Sequence, residues 1–216
     1  QAGGVVRLDA AQRAQLARIT LAGGATAASA FLADASMARP RAFIVDGSAG
    51  TPPPLESPSH YVQRALAPHS ELASGTMEQA PRDPARLVIL LDAPADAEQA
   101  APLLRKVRNG AVVVSFAGPR VAENGSQLLP APVARRVRTV GGALDWTQPL
   151  QVGRFARNAP LAGLPTPSDA RVMRQLLYRA DSPPGVEIWA GLDDGTPLVS
   201  ARRLGNGLLV FVHTAA

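Results

Sequence analysis

Four residues are of a type and placement that could carry chemistry: Ser115, His213, Asp46 and Asp92. Ser115 follows the apolar run Val112-Val113-Val114. A serine at the C-terminal end of a parallel strand stands where open α/β sheets bind ligands, and a base beside it would make it a nucleophile. His213, near the end of the last apolar run, is the candidate base. The surrounding residues do not form a G-x-S-x-G elbow, because Val113 and Ala117 occupy the glycine positions. Ser115 therefore also reads as a small residue ending a strand, and His213 as one that closes a strand by bonding a neighbouring loop. Asp46 and Asp92 end two further apolar runs. Together with Ser115 they are the candidate ligand-binding set: carboxylates meeting at a switch point could hold a cation or a ligand hydroxyl. The competing reading is that each caps loop amides, as Asp does at turns.

Several chemistries are closed off. With no cysteine in 216 residues there is no disulfide, thiolate metal site or Cys nucleophile. The three histidines, His60, His69 and His213, have no metal-ligand spacing, so no metal is expected. No apolar strand is followed by a dinucleotide fingerprint or a P-loop, and Gly141-Gly142 and Gly205-x-Gly207 read as turn glycines, so no cofactor is expected. The net charge is +5, with Lys106 the only lysine and the arginines scattered in ones and twos. Aromatics make up only 4%, so neither a phosphate-tracking run nor a stacking platform is present and no nucleic-acid partner is expected. Trp146 and Trp189 mark either a recognition surface or the covered edge of a core. No apolar run reaches the roughly 20 residues of a membrane helix. The chain opens QAGGVVRLDA, without Met or a leader pattern, as expected of a soluble fragment of a longer protein.

These residues need elements to position them. RLVILLDA, PADAEQAAPLLRKVRNG and AVVVSFAGPR, from Arg86 onward, read strand, helix, strand, with apolar runs continuous enough to be buried on both faces. The helix is bounded by an Asp96/Gln99 capping box and Gly110, and Leu103, Leu104 and Val107 form its apolar stripe, with Ala100 a turn earlier. Pro102 predicts a kink or a helix that starts only one turn earlier. Residues 42–46 add a third parallel strand. Ser59 is the expected cap of a helix burying Tyr61, Ala65 and Leu66, and Glu71 to Met77 a weaker strand. Residues 119–132 read as loop, 135–140 as a half-exposed strand, and 172–178 as a strand. VEIWAGL, LVSARRL and LLVFVHT read as an antiparallel meander with Gly195 and Gly207 at positions of positive φ. Residues 1–40 are expected to be a β appendage, or the tail of a preceding β domain, and 41–216 the main domain.

The run AVVVSFAGP followed by DDGTPLVSARRLGNGLLVFVHT resembles the class I glutamine amidotransferase-like domains. VSFAGPR, GGALDWTQP and DDGTPLVSARRLGNG further resemble a segment of large bacterial membrane proteins, over about residues 16–216. Those proteins begin with a Bat-type (aerotolerance regulator-like) double-transmembrane segment and end with a domain of unknown function. The resemblance implies a flavodoxin-like core and a parent protein in the bacterial cell membrane. It implies no activity: the family's enzymes carry Cys on a sharp turn after a central strand, and the matching turn here is Ser115-Phe116-Ala117-Gly118. The expectation is thus an α/β, flavodoxin-like domain with a mainly parallel sheet. Its expected role is that of a non-catalytic interaction or scaffold domain with protein partners. The alternatives are a Ser-dependent hydrolase using Ser115 and His213, and a small-ligand-sensing domain.

Overall fold

The continuous apolar run Leu87–Leu91 becomes strand β5, in the middle of the parallel part of one mixed sheet. The computed structural model describes residues 16, 18–21, 29–32, 39–47, 57–134, 143–179 and 184–216, with 143–148 as backbone. Around β5 lie β3 (Arg41–Asp46), β4 (Glu71–Ser74) and β6 (Val112–Phe116). Further on come β7 (Ala143–Phe155), β8 (Arg171–Leu176), β9 (Val186–Leu192), β10 (Pro197–Leu204) and β11 (Gly207–Val212). The nine strands run in the order β4-β3-β5-β6-β11-β10-β9-β7-β8. The first five are mutually parallel and every later pairing is antiparallel. The expected meander is present, but it is no separate layer: its last strand lies beside β6 and extends the parallel half. A separate hairpin, β1 (Arg18–Thr20) with β2 (Ala30–Leu32), forms a β unit before the main sheet.

Strand alternation divides the core. On one face, Val88, Leu90, Val113 and Leu209 meet Ala100, Leu103 and Val107 of helix α2 (Ala97–Arg108). Helix α1 (Pro58–Leu66) lays Val62 and Leu66 against Ile44, Ile89 and Leu91 on the other. The capping box of α2 is complete: Asp96 accepts from the Gln99 amide at 2.9 Å, and Gln99 Oε1 accepts from the Asp96 amide at 3.4 Å. Pro102 is its sixth residue and the helix runs on past it, so the start lies a little more than one turn upstream.

Some expectations are corrected. Ala100, Leu103 and Val107 of the stripe are buried, whereas Leu104 packs against the same cluster but is only partly buried. Helix α1 is capped at Ser57 rather than Ser59, and Tyr61 (51% exposed) and Ala65 lie outside its packed face. Residues 119–124 form a short helix, α3 (Pro119–Asn124), where loop is expected; Pro119 takes the first helical position, which needs no amide donor. Positive φ occurs at Gly195 (85°) and Gly205 (61°), not Gly207. A Cβ at Gly207 would fall 2.1 Å from the carbonyls of Val107 and Ala111, so close approach to the end of α2 demands glycine there. The expected strand at 135–140 lies outside the described residues. Among those described, no helix is long and apolar enough to cross a membrane.

Candidate functional site

His213 follows β11 directly and is 0% exposed. Its position is fixed by backbone bonds to two strands: its amide donates to Leu198 O at 2.9 Å, and its carbonyl accepts from the Leu176 amide at 2.8 Å. The ring Nδ1 lies 2.6 Å from Leu176 O and Nε2 lies 2.8 Å from Ser200 Oγ. A carbonyl oxygen can only accept, so Nδ1 carries the proton and Nε2 is the bare nitrogen, accepting from the Ser200 hydroxyl. Tyr178 Oη, 2.7 Å from Ser200 Oγ, then donates to it. The hydrogen bonds run in one direction, from Tyr178 through Ser200 to His213 and on to the Leu176 carbonyl. The rings of Tyr178 and Phe211 enclose the imidazole at centroid distances of 4.7 and 4.6 Å. Burial pushes the His213 pKa down to about 4, only partly opposed by the bond to Leu176, so the ring is neutral near pH 7. Burial likewise raises the Tyr178 phenol.

This Ser–His pair has the polarity of a nucleophile and its base, yet three features close it to a substrate. Ser200 and His213 are both 0% exposed. The Ser200 hydroxyl is engaged twice, donating to His213 and accepting from Tyr178. A backbone carbonyl, not a carboxylate, orients the imidazole, so among the described residues no charged partner stabilises an imidazolium. Sequence reading found His213 but missed Ser200 and Tyr178. The available signal was Ser200 at an inward position of a strand whose neighbours Leu198 and Ala201 are also buried.

Ser115 is not part of this chain of bonds. It is 2% exposed on β6, and among the described residues its hydroxyl has no hydrogen-bond partner, so the pairing with His213 that the hydrolase alternative requires is not formed. The register supplies the reason: the cross-strand neighbours of Ser115 are Leu90 and Phe211, and His213 lies two residues further along. The turn after β6 is also unstrained. Among the described residues the one non-glycine with positive φ is Asp92, at 45°, after β5.

Asp92 acts as a cap. Its Oδ1 accepts from the Val121 amide at 2.8 Å and its Oδ2 from the Arg120 amide at 3.1 Å, satisfying the first turn of α3. Gly118 permits the approach, since a Cβ there would fall 2.2 Å from Asp92 Cγ. The Arg120 guanidinium reaches across to the Gly47 carbonyl, and the Gly47 amide donates to Leu91 O at 2.8 Å. The ends of β3 and β5 are thus tied together by the chain itself. Asp46 ends β3 in register with Leu91 and is exposed. Among the described residues, no group of three or more His, Asp or Glu could hold a metal ion.

No protein-family model matches the chain, and no curated relative does. Solved structures resemble it in fold. Cytoplasmic protein STM1381 from Salmonella typhimurium LT2 superposes with a TM-score of 0.56 at 10% identity, over 81% of this chain and 88% of that one. A thua-like protein from Bacteroides uniformis ATCC 8492 gives 0.55 at 14% identity, over 82% of each chain. A cold-adapted β-galactosidase from Rahnella sp. R3 gives 0.57 at 16% identity, over 81% of this chain but 28% of that one. At such identities the likeness is one of fold alone.

Proposed function

We propose that this chain is a non-catalytic domain of flavodoxin-like, glutamine amidotransferase-like fold, acting as an interaction or scaffold unit of a membrane-anchored bacterial protein. The observation that carries the reading is the placement of its serines and its histidine. The serine at the family's catalytic turn, Ser115, has no base, and the serine that has one, Ser200, is sealed inside the fold. Nucleophilic catalysis needs nucleophile, base and oxyanion donors around one accessible point. The likeness to the thua-like protein supports the fold assignment, together with five parallel strands in the order β4-β3-β5-β6-β11. That this fold also occupies 28% of a β-galactosidase chain supports its use as one unit of a larger protein. Membrane anchoring of the parent rests on the resemblance of VSFAGPR, GGALDWTQP and DDGTPLVSARRLGNG alone. Ligand sensing at the strand ends is the weaker reading, because Asp92 and Arg120 are both turned to binding their own chain there.

A fluorophosphonate probe tests the non-catalytic reading. The native chain is expected to stay unlabelled at both serines, as Ser115→Ala and Ser200→Ala do. Covalent labelling of Ser115 that Ser115→Ala abolishes would overturn it. The anchoring is tested separately, by fractionating cells that express the full-length protein. The protein should leave the membrane with detergent and resist alkaline carbonate; release by carbonate counts against an anchor.

A further inference from the structure

We propose that a cleft at the N-terminal edge of the parallel strands, between Arg86, Arg105 and Lys106, binds a small ligand through a phosphate or carboxylate head group. The open cleft has a volume of about 450 Å³ and is also lined by Pro81, Pro102, Asn109 and Ala111. Three cationic side chains line it and no carboxylate does. They come from different elements: Arg86 immediately precedes β5, whereas Arg105 and Lys106 lie in the last turn of α2. Cations in a last turn offset the helix dipole, which accounts for a pair of them. It does not account for Arg86 converging on the same space from the sheet. Gly110, with φ of 103°, leaves the room Arg86 occupies, since a Cβ there would fall 2.8 Å from its Nη2.

The two guanidinium charges in the cleft are uncompensated among the described residues. Among the described residues the guanidinium groups of Arg86 and Arg105 have neither a hydrogen-bond nor an ion-pair partner, and both residues are exposed. Lys106 Nζ is held by the backbone carbonyls of Ala80, at 3.1 Å, and Asp83. The Asp83 carboxylate is occupied by Arg41, at 3.0 Å from Nε and 2.9 Å from Nη2. Desolvation accordingly lowers the Lys106 pKa, with Asp83 opposing only in part. An oxyanion would relieve repulsion among the three cations and accept paired bonds from the planar guanidiniums. Pro81, Pro102 and Arg105 also line a second groove, which carries Glu78, Asp96 and Glu98 together with Arg82. Three carboxylates against two arginines there favour a neutral or cationic tail on the ligand over a second anionic group.

The site stands apart from the surface-acting role proposed above and is tested without reference to it. Calorimetric titration of the intact chain at constant ionic strength would use inorganic phosphate, O-phosphoethanolamine and 4-aminobutyrate, which separate a phosphate head from a carboxylate one. Saturable binding of at least one is expected. Arg86→Gln and Arg105→Gln should each weaken it by roughly tenfold, the loss of a charge-assisted bond. The double control Arg154→Gln/Arg171→Gln, which removes two charges from β7 and β8, should change it by less than about twofold. The absence of saturable binding, or weakening by the control equal to that by Arg86→Gln/Arg105→Gln, would overturn the proposal. On the unmutated chain, the bound ligand should also protect Arg86 and Arg105 from phenylglyoxal; equal modification with and without ligand would overturn it as well.

Discussion

His213 is an acceptor at Nε2 and a donor at Nδ1, and both partners are buried, so the folded protein holds the ring neutral. Its folded pKa of about 4 lies below the unfolded value of 6.5, so on acidification the unfolded chain takes up the proton first. Stability contributed by the neutral ring is therefore complete above about pH 6.5 and is lost as pH falls toward 4, by on the order of 3 kcal/mol in total. Asp83, whose carboxyl Arg41 holds below the usual range, acts in a lower window: its contribution is lost only as pH falls below its ordinary value of 3.8. Urea midpoints should fall between about pH 7 and pH 4.5, and His213→Gln, though less stable at neutral pH, should flatten that slope. A native midpoint that stays level over the window rules this account out. The uneven burial along the stripe of α2 gives a second expectation. Leu103→Ala should cost about 2–5 kcal/mol as a buried large-to-small change, and Leu104→Ala clearly less because its side chain is only partly buried. Equal losses in chemical denaturation would mean that Leu104 is packed as deeply as Leu103. At this scale the Asp96–Gln99 cap was legible because both partners are local in sequence. The Ser200–His213 bond was not, because it depends on the β10–β11 register and on Leu176 arriving from β8.

At the scale of elements, the turns carry their instructions in short words, and those words were readable. Asp-Gly at 194–195 and Gly-Asn-Gly at 205–207 close the two hairpins as expected, but the glycines serve different needs. Gly195 needs its positive φ and has open space around it. Gly207 has no positive φ and has two carbonyls where a Cβ would go. Gly195→Ala should accordingly cost roughly 1–2 kcal/mol, the strain of a left-handed residue. Gly207→Ala should cost more, since the end of α2 and the start of β6 must both withdraw. Gly207→Ala tolerated better than Gly195→Ala in urea titrations would show that the contact yields easily. Helix α3 was missed for a physical reason. Six residues make fewer than two turns of apolar period, and its start, Gly118-Pro119, has the composition of a loop. What caps it is Asp92, distant in sequence, so no local pattern announces it.

On the scale of the molecule, the sheet has a joint where its parallel half meets its antiparallel half, and the last strand forms it. β11 pairs in parallel with β6 on one side and antiparallel with β10 on the other. It supplies Leu209 to the core under α2 and Phe211 to the core beside α3. Three parallel strands were legible as apolar runs, and so was the meander. That the two share one sheet was not, because β6 and β11 are separated by nearly half the chain and pairing between continuous apolar runs has no local signature. The arrangement makes the C-terminus central to stability. A chain ended after Leu204 would leave β6 and β10 with open edges in the middle of the molecule and remove the buried Leu209, Val210, Phe211 and His213 at once. Each of the large side chains alone is worth about 2–5 kcal/mol when cut to alanine, and a domain's whole stability is about 5–15 kcal/mol. The truncated chain is therefore expected to lose its cooperative urea transition and to bind the dye ANS, with strand content reduced in circular dichroism. An intact sigmoidal transition in the truncated chain would mean that the two halves fold independently and that β11 merely docks between them.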